Sequence, residues 1–430
     1  MKLLFLAHRI PYPPNKGDKI RSYHELRALV EHGHEVHLLA FADDLRDLHY
    51  QVDLARGCAS VRIVRLRKFW AKIRALLSVL TSRPLSFGYF GSWKMRRLVK
   101  RALNKQKFDA VFVYSSAMAQ YVPAKWRSQT IVDVVDVDSE KWREYAERTK
   151  PPKSWLYEIE ARRLRKHEHE IVAGFAYSIL TTRREADLLS DLDEFTRRAR
   201  VRILTNGVDT EYFQPEPLES EIGKIIRLPS AAMPKPDPKP QLVFTGVMDY
   251  FANVEAVCWF AAEVFPLIRL QEPQAEFIIA GRNPVAEVRK LAMQPGVIVT
   301  GTVDDIRPYL DAATVCVGPL RIARGIQNKL LEAMACGKAI VATPEAVAGL
   351  RVAHEEQLLL AGSPTEFAAA VLELIRDKSL RDSLGRRARR FVELEHDWQP
   401  LLQKLMELIE AVSQRRSESE RTSVRAIARH

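Results

Sequence analysis

Short apolar runs alternate with longer segments of helical periodicity along the first half of the chain. The first run, Leu3–Ala7, is followed by a loop with Pro and Gly and then by a helical pattern over Arg21–Glu31. Strands that alternate with helices in this way are typical of a parallel, doubly wound sheet. The other runs predicted as strands of this sheet are Glu35–Phe41, Val61–Arg65, Ala110–Tyr114, Ile131–Val135, Ser178–Thr182 and Val201–Leu204.

A proline-rich stretch interrupts the alternation near the middle of the chain. Seven of the 23 prolines lie between Gln214 and Gln241, and this composition favours an extended, semi-rigid linker. The alternation then resumes, which predicts a second Rossmann-like domain. Its predicted strands are Gln241–Thr245, Glu276–Ala280, Val297–Thr300, Thr314–Val317, Ala339–Ala342 and Leu358–Leu360, and its predicted helices include Val254–Leu270, Lys329–Ala335 and Thr365–Arg376.

The pattern therefore predicts two Rossmann-like, doubly wound α/β domains that face each other across a cleft, with the two substrates on opposite walls. The predicted boundaries are 1–214 for the first domain, 215–240 for the linker and 241–378 for the second domain. A helical segment over 379–412 is expected to pack back toward the first domain. The charged tail over 413–430 is expected to be disordered.

Charge is concentrated in one part of the chain. Hydrophobic residues make up 47% and charged residues 28%, a mixture that can bury two cores. Between Val61 and Lys107 there are fourteen Lys or Arg and no Asp or Glu, so the net charge of +12 leaves about −2 (12 − 14) for the rest. The four cysteines fit no zinc or redox spacing and indicate buried thiols in a reducing compartment. No apolar run has the length of a signal peptide core or a membrane span, which predicts a cytoplasmic location.

The segment Gly318–Gly337 carries the strongest candidate chemistry. It follows a predicted strand, crosses a loop and enters a helix, and ligands of open α/β sheets bind at such strand ends. The N–H groups of the helix start, with the cations of Arg324 and Lys329, suit the diphosphate of a nucleotide. Glu332, one turn into the helix, suits two ribose hydroxyls. Spacing alone leaves open that all three are solvated surface residues.

Several motifs together resemble glycosyltransferase family four, whose retaining enzymes have the GT-B fold. Leu330–Thr343 is similar to the donor-site helix of that family, and Asn206–Pro215 is similar to the loop that ends its first domain. Phe244–Gly246 and Ala280–Arg282 also match. The resemblance covers nearly the whole chain and implies a nucleotide-sugar donor, with no cofactor and no metal. Together with the spacing it gives as donor-binding residues Gly246, Arg282, Arg324, Gly325, Asn328, Lys329 and Glu332.

Finer motifs resemble the sugar transferases associated with exosortase (PEP-CTERM) and exopolysaccharide systems. These motifs are Gly17–Ser22, Asp133–Trp142 and Ala323–Lys329. The branch implies a hexosyl transfer to a glycan acceptor, expected to be lipid-linked.

The chain also departs from the pattern of the family. A glutamate that contacts the transferred sugar usually stands eight residues before the ribose glutamate, and here that position is Arg324. The stretch Gly246–Asn253 lacks the Arg and Lys that usually grip the diphosphate. One hypothesis is that Arg324 and Lys329 supply the missing positive charge. On this basis Arg324 is predicted to take part in catalysis.

The first domain offers candidates for the acceptor side. Gly17 lies between a strand and a helix and permits close approach of a backbone, and Asp18 and Arg21 are expected to line the cleft beside it. Among three closely spaced aspartates, Asp136 is predicted to orient the acceptor hydroxyl, at a position where many family members have a histidine. Helix capping by Asp138 and a divalent metal site remain as alternatives.

The basic segment also carries aromatic and aliphatic residues at helical spacing. A helix that presents Lys68, Trp70, Lys72 and Arg74 suits an anionic membrane surface, so a peripheral position at the inner face of the cytoplasmic membrane is predicted. A core-packed helix with a solvated basic face is the alternative. No nucleic-acid motif accompanies the charge, and no nucleic-acid partner is predicted.

The leading prediction is a retaining glycosyltransferase of exopolysaccharide or cell-surface polysaccharide biosynthesis. A nucleotide-sugar epimerase of the same fold and a non-catalytic membrane-docking subunit are the alternatives. A dehydrogenase is disfavoured because no Gly-x-Gly-x-x-Gly follows any predicted strand.

Overall fold

A computed structural model describes residues 1–14, 17–189, 192–215 and 239–427, with side chains described as far as 414. The chain divides into two compact units. The first comprises Met1–Thr205 together with the chain from Gln399 onward, and the second comprises Asn206–Trp398. Each unit is built around one parallel sheet.

The first unit contains a seven-stranded parallel sheet in the order β3-β2-β1-β4-β5-β6-β7. Its strands are β1 (Lys2–Ala7), β2 (Glu35–Ala42), β3 (Ser60–Arg65), β4 (Ala110–Tyr114), β5 (Thr130–Val135), β6 (Tyr177–Leu180) and β7 (Val201–Ile203). Its helices are α1 (Gly17–Glu31), α2 (Gln51–Ala55), α3 (Lys68–Leu77), α4 (Leu85–Tyr89), α5 (Trp93–Lys105), α6 (Asp138–Glu147), α7 (Lys153–Gly174), α8 (Arg183–Asp187) and α9 (Glu194–Arg200). Short 3-10 turns at Arg46–Tyr50, Ser78–Leu80, Ser116–Tyr121 and Ala124–Gln129 complete it.

The second unit contains a six-stranded parallel sheet in the order β10-β9-β8-β11-β12-β13. Its strands are β8 (Gln241–Thr245), β9 (Glu276–Ala280), β10 (Val297–Gly301), β11 (Val315–Gly318), β12 (Ile340–Ala342) and β13 (Leu359–Leu360). Its helices are α10 (Phe251–Trp259), α11 (Phe265–Gln271), α12 (Ala286–Leu291), α13 (Arg307–Ala312), α14 (Asn328–Ala335), α15 (Pro364–Arg376) and α16 (Lys378–Glu395), with one π-turn at Phe260–Val264. The last helix, α17 (Trp398–Ile427), begins at the end of this unit.

All thirteen strands (seven and six) lie where the sequence predicts them, so the two doubly wound sheets are confirmed. The apolar runs are strands because a parallel sheet covered by helices buries both of its faces. In each sheet the strand order reverses beside the first strand, since β1 pairs with β2 and β4, and β8 pairs with β9 and β11. Ligands of such sheets bind at the carboxyl ends of the strands at this reversal.

The boundary between the units differs from the predicted one. The loop from Asn206 to residue 215 belongs to the second unit, not the first. Val208 N–H donates to the His396 carbonyl (2.7 Å), and Gly207 packs against the Trp398 ring. These contacts hold the loop against the end of the second unit. The predicted linker over 215–240 lies almost wholly outside the described residues.

The C-terminal region also differs from the prediction. The expected single helix over 379–412 is interrupted at His396-Asp397, and its first part, α16, belongs to the second unit. Only the chain from Gln399 onward belongs to the first unit. The tail from residue 413, predicted to be disordered, continues α17 to Ile427. Arg, Gln and Glu in this tail are good helix formers, which favours continuation of an existing helix.

One helical stretch meets the length and composition of a membrane span. Within the described chain, Phe251–Gln271 has a window of mean hydropathy 1.4, whereas no such segment is predicted from the sequence. In this window 56% of the residues are buried within the unit. The stretch therefore has the character of an apolar core helix, and it packs on the second sheet.

Candidate functional site

The loop between β11 and α14 places the predicted donor residues at the carboxyl edge of the second sheet. Gly325 has φ 60°, a left-handed conformation that favours glycine. The backbone of Gly349 lies directly against the Gly325 carbonyl, so the loop is packed closely at this turn. The helix that follows begins at Asn328, where its first N–H groups and dipole favour an anion.

The loop after β8 passes close to the start of α14. A Cβ placed on Gly246 would lie 3.2 Å from the Lys329 Nζ and 2.8 Å from the Asn253 side-chain nitrogen. The Gly246 carbonyl in turn packs against Gly281, at the end of β9. The structure thus brings Gly246 and Lys329 together with the end of β9, and a Cβ at position 246 would displace the Asn253 and Lys329 side chains.

Lys329 is the most strongly perturbed cation of the site. Its Nζ donates to the Asn253 Oδ1 (2.5 Å) and lies 4.2 Å from the centre of the Phe244 ring. Burial lowers the pKa of Lys329 to about 7, against the opposing effect of Glu332. The sequence pattern does not single out Asn253, although it is the last residue of the cation-free stretch Gly246–Asn253.

Glu332 lies one helical turn beyond Lys329 on α14. Within the described chain its carboxylate accepts no hydrogen bond and forms no ion pair. Burial raises the pKa of Glu332 to about 7, and the nearby charge of Lys329 opposes this shift. A half-buried carboxylate with open acceptor positions suits a ligand that brings hydroxyl donors.

The remaining predicted donor residues lie on the same loops. The Arg282 carbonyl, just after β9, accepts from the Met248 N–H (2.8 Å), which ties the β8 and β9 loops together. The Arg324 carbonyl accepts from the Gln327 side chain (3.0 Å). Asn328 is already engaged, because its Oδ1 accepts from the Asn206 side chain (3.1 Å).

The first unit places Arg21 differently from the prediction. Its guanidinium is 1% exposed and donates to Asp133 (2.6 Å), with Glu25 at 3.1 Å. It also donates to the Leu204 and Thr205 carbonyls. Arg21 is therefore a buried residue that links separate segments of the first unit, and not a surface residue beside the acceptor. Burial and the charge of Asp133 raise the pKa of Glu25 well above its ordinary value.

Asp18 lies with His8 and Arg9 at the carboxyl edge of β1. The Arg9 guanidinium donates to Asp18 at 2.6 Å, and the His8 Nε2 lies 3.4 Å away. Although burial alone would raise the pKa of Asp18, the hydrogen bond from His8 and the charge of Arg9 lower it below its ordinary range. Gly17 is the first residue of α1 and directly precedes Asp18. The sequence prediction does not include His8, although its position directly after β1, at a strand end, is a signal for a site residue.

Asp136 lies directly after β5, at the carboxyl edge of the first sheet. Its Oδ1 accepts from the Thr181 hydroxyl (2.7 Å). Burial raises the pKa of Asp136, while the Thr181 hydrogen bond opposes the shift. Asp138 begins α6, and Asp133 is the buried partner of Arg21. Of the three, Asp136 is therefore the carboxylate that directly follows the strand, and in the described chain it forms no ion pair.

Two domain families match the chain in the order in which its units occur. The family described as glycosyl transferase 4-like domain matches residues 19–207, and the family described as glycosyl transferases group 1 matches residues 239–377. The first range contains β2 to β7 of the first sheet, and the second range contains all six strands of the second sheet. The chain is a GT-B glycosyltransferase.

Solved structures share the fold of this glycosyltransferase over nearly its whole length. Sucrose-phosphate synthase from Thermosynechococcus elongatus is 17% identical with a TM-score of 0.68, covering 96% of this chain and 99% of that chain. The Anabaena protein HepE, solved in complex with UDP and glucose, is 15% identical with a TM-score of 0.62, covering 96% and 100%.

Curated relatives match over shorter stretches. A glycosyltransferase of Methanocaldococcus jannaschii is 27% identical over 148 residues, 33% of this chain and 38% of that protein. A 44.6 kDa protein in the cps region of Klebsiella pneumoniae is 22% identical over 164 residues, 36% of this chain and 42% of that protein. The matches thus span about two fifths of each relative.

Most of the large apolar side chains of α3 and of the turn that follows it are exposed. In α3 only Ala71 is buried. Five side chains are between 54% and 84% exposed and form, with the cations beside them, what we call the α3 surface: Phe69, Trp70, Leu76, Leu77 and Leu80, with Lys68 and Lys72. The core-packed alternative for this helix is therefore wrong. Arg74 departs from its predicted place, because it is half-buried and donates to the Tyr89 carbonyl (3.5 Å).

Within the described residues, no group of three or more His, Cys, Asp and Glu side chains is arranged to hold a metal ion. The absence of a metal from the reaction stays a prediction.

Proposed function

We propose that this glycosyltransferase moves a sugar, with retention at the anomeric carbon, from a nucleoside-diphosphate donor to a lipid-linked glycan. The process that it would serve is the assembly of an exopolysaccharide or another cell-surface polysaccharide. The part of this proposal that concerns the donor rests on Glu332, near the start of α14. Its half-buried carboxylate accepts no hydrogen bond within the described chain.

Glu332 suits the ribose of a nucleotide for a physical reason. A half-buried carboxylate without partners is costly, and two adjacent hydroxyls of a ribose can each donate to it. The start of α14 and the Lys329 amine lie within one turn, where a diphosphate attached to that ribose would find opposite charge. The UDP complex of the similar HepE fold supports this assignment.

The acceptor half rests on Asp136. A carboxylate at the end of β5, held by Thr181, can accept the proton of an acceptor hydroxyl or orient it. Because burial raises its pKa, Asp136 is a stronger base than an exposed aspartate. Arg324, in place of the usual sugar-binding glutamate, would contribute positive charge near the departing diphosphate.

The α3 surface supports a peripheral position on a membrane, at the inner face of the cytoplasmic membrane. It combines exposed Trp and Leu side chains with cations, the composition of an interfacial helix. Arg163 of α7 donates to the carbonyls of Ser78, Val79 and Arg83. These bonds hold the exposed turn at the end of α3 in place, so its apolar side chains stay outside the core. A lipid-linked acceptor would meet the first unit at such a surface.

A non-catalytic docking subunit is the second candidate, and Arg324 favours it. If the glutamate that usually contacts the sugar is essential, a chain with Arg324 in its place retains the fold and the α3 surface but cannot transfer a sugar.

The two candidates separate in one assay. The purified chain is incubated with UDP-, GDP-, ADP- and dTDP-sugars and a polyprenyl-linked glycan extract, and release of nucleoside diphosphate and the anomer of the product are measured. We expect one donor to give stoichiometric product, E332Q to weaken that donor, and E263Q, at an exposed glutamate of the same unit, to have no effect. If no donor binds or reacts, the transferase proposal is wrong.

A further inference from the structure

The Lys329 side chain extends away from α14, and its amine packs against the loop that follows β8. The side chain starts on α14, after β11, and its Nζ lies beside Gly246 in the loop after β8. The Phe244 ring, at 4.2 Å, forms one wall around the amine. The amine therefore lies between the two strand ends at which the order of the second sheet reverses.

Asn253 fixes the amine in this place. Its Nδ2 donates to the Val247 carbonyl (3.0 Å), which leaves its Oδ1 facing Lys329 at 2.5 Å. The Asn253 N–H is in turn bound to the Tyr250 carbonyl (2.9 Å). Because the amide has only one orientation that satisfies both contacts, the loop holds Lys329 through a neutral acceptor.

The charge of Lys329 is left without a counter-ion. Of the three donors of an ammonium group, Asn253 takes one. No carboxylate of the described chain lies within ion-pair distance of Nζ. The charged group that affects the pKa of Lys329 is Glu332, on the same helix. Asp249, the one charged residue of the Gly246–Asn253 loop, is engaged by the Asn283 side chain (3.2 Å). A partly buried cation in this setting favours a bound anion.

We propose that Lys329 binds the diphosphate of the donor from α14, across the opening that Gly246 leaves. This inference rests on the proposed function, because it assigns a residue to the diphosphate of the same donor. Asn253 acts as a positioning residue for the amine. Glu332, on the same helix, holds the ribose end of the same ligand.

The assignment predicts a dependence on the phosphates of the ligand. Contact between Lys329 and the diphosphate contributes to the binding of nucleoside diphosphates and sugar nucleotides. It contributes less to the monophosphate and nothing to the nucleoside. A purely structural role of Lys329 would weaken all these ligands equally.

The test is calorimetric titration of the full chain with UDP, GDP, ADP and dTDP. For the base that binds, the matching monophosphate and nucleoside follow. The variants are K329M, which keeps the length of the side chain, K329R, which keeps its charge, and K338M as the matched control. Lys338 follows the same helix and donates to the Asp311 carbonyl, away from Gly246.

We expect K329M to weaken the diphosphate by about 10- to 100-fold, in the range of hydrogen bonds to charged groups. The nucleoside and the K338M variant are expected to bind as before, and K329R is expected to lose less than K329M. Equal losses for diphosphate and nucleoside, or no loss in K329M, would overturn the inference while leaving the proposed function intact. Failure of all four diphosphates to bind would overturn both.

A measurement on the unaltered chain covers the case in which K329M does not fold. Near pH 8 the free amine is largely neutral, because its pKa is about 7. Diphosphate binding is then expected to take up a proton, seen as a binding enthalpy that varies with the ionisation enthalpy of the buffer. Absence of uptake with the diphosphate would contradict the assignment.

Discussion

Lys329 and Glu332 lie one turn apart on α14, and each limits the pKa shift that burial imposes on the other. Burial lowers the pKa of the lysine and raises that of the glutamate, so that both values are about 7. A donor that carries both a ribose and a diphosphate needs the carboxylate charged and the amine charged. Both conditions are met together only near neutral pH.

This relationship predicts a bell-shaped pH dependence of donor affinity. As pH falls below about 7, Glu332 is protonated and loses its capacity to accept two hydroxyls, so affinity decreases. As pH rises above about 7, the free Lys329 amine is neutral and must take up a proton to pair with phosphate, so affinity decreases by up to tenfold per pH unit. A sugar nucleotide is the appropriate probe, since its diphosphate diester does not titrate in this range.

The two limbs of this profile are separable by substitution. E332Q is expected to remove the acidic limb and K329M the alkaline limb, measured as dissociation constants between pH 5.5 and 9. An alkaline limb that persists in K329M would contradict its assignment to the lysine.

Gly246→Ala is expected to weaken donor binding and also to lower the midpoint of urea unfolding, since Gly246 has φ 158°, which residues with a Cβ rarely adopt. A Cβ there would lie 2.8 Å from the Asn253 side chain and 3.2 Å from the Lys329 amine, so both must move. The expected loss of donor affinity is about tenfold, the order of one weakened hydrogen bond to a charged group. Donor affinity and the midpoint of urea unfolding are the measurements. Gly362→Ala is the control, because its Cβ would meet only the Glu366 side chain, at 3.8 Å; equal effects of the two changes would exclude a local cause.

Arg21→Met is expected to destabilise the first unit. The substitution leaves Asp133 buried without its cation, and loss of one partner of a buried ion pair costs about 3–5 kcal/mol. It also removes the donors of the Leu204 and Thr205 carbonyls. Urea unfolding of the first unit measures the free energy. Arg27→Met, which breaks the exposed pair with Glu31, is expected to change it by no more than about 0.5 kcal/mol.

The sequence predicts the strands of both sheets because burial on two faces leaves uninterrupted apolar runs. It also predicts that Gly246 lies at a strand end and Lys329 and Glu332 near a helix start, since these are local features; that all three bind the donor stays a prediction. The environment of Arg21 is not local: its partners Asp133 and Leu204 lie far along the chain, and nothing near position 21 distinguishes a buried arginine from a surface one.

Asn253 and the end of α17 show two further limits of the sequence. Asn253 is one polar residue among several in its loop, and its role follows from the path of the Lys329 side chain, which only the folded chain defines. The tail after residue 413 has the composition of a disordered segment, yet the same Arg and Glu residues extend a helix that has already begun.

Removal of apolar side chains from the α3 surface is expected to weaken membrane binding. Leu77→Ser with Leu80→Ser removes two exposed leucines. Lys72→Gln removes about 1 kcal/mol of attraction to anionic lipid, which lowers the binding constant about fivefold. Co-sedimentation with phosphatidylglycerol vesicles is the measurement. Leu270→Ser, at a leucine equally exposed in the second unit, is the control. Neutral phosphatidylcholine vesicles should bind less well; equal binding of both vesicle types would argue against an electrostatic contribution.

Asp136→Asn tests the acceptor half of the proposal. The change keeps the size of the side chain and an oxygen for the Thr181 hydroxyl, but it removes the base. Loss of a general base lowers turnover by about 100-fold or more, while donor affinity is expected to stay the same because the donor residues lie in the other unit. In the unaltered enzyme the acidic limb of kcat is expected above the ordinary pKa of an aspartate, since burial raises the pKa of Asp136. Asp187→Asn, at an exposed carboxylate of the same unit, is the control. If Asp136→Asn changed donor affinity and left kcat unaltered, the carboxylate would not serve the acceptor.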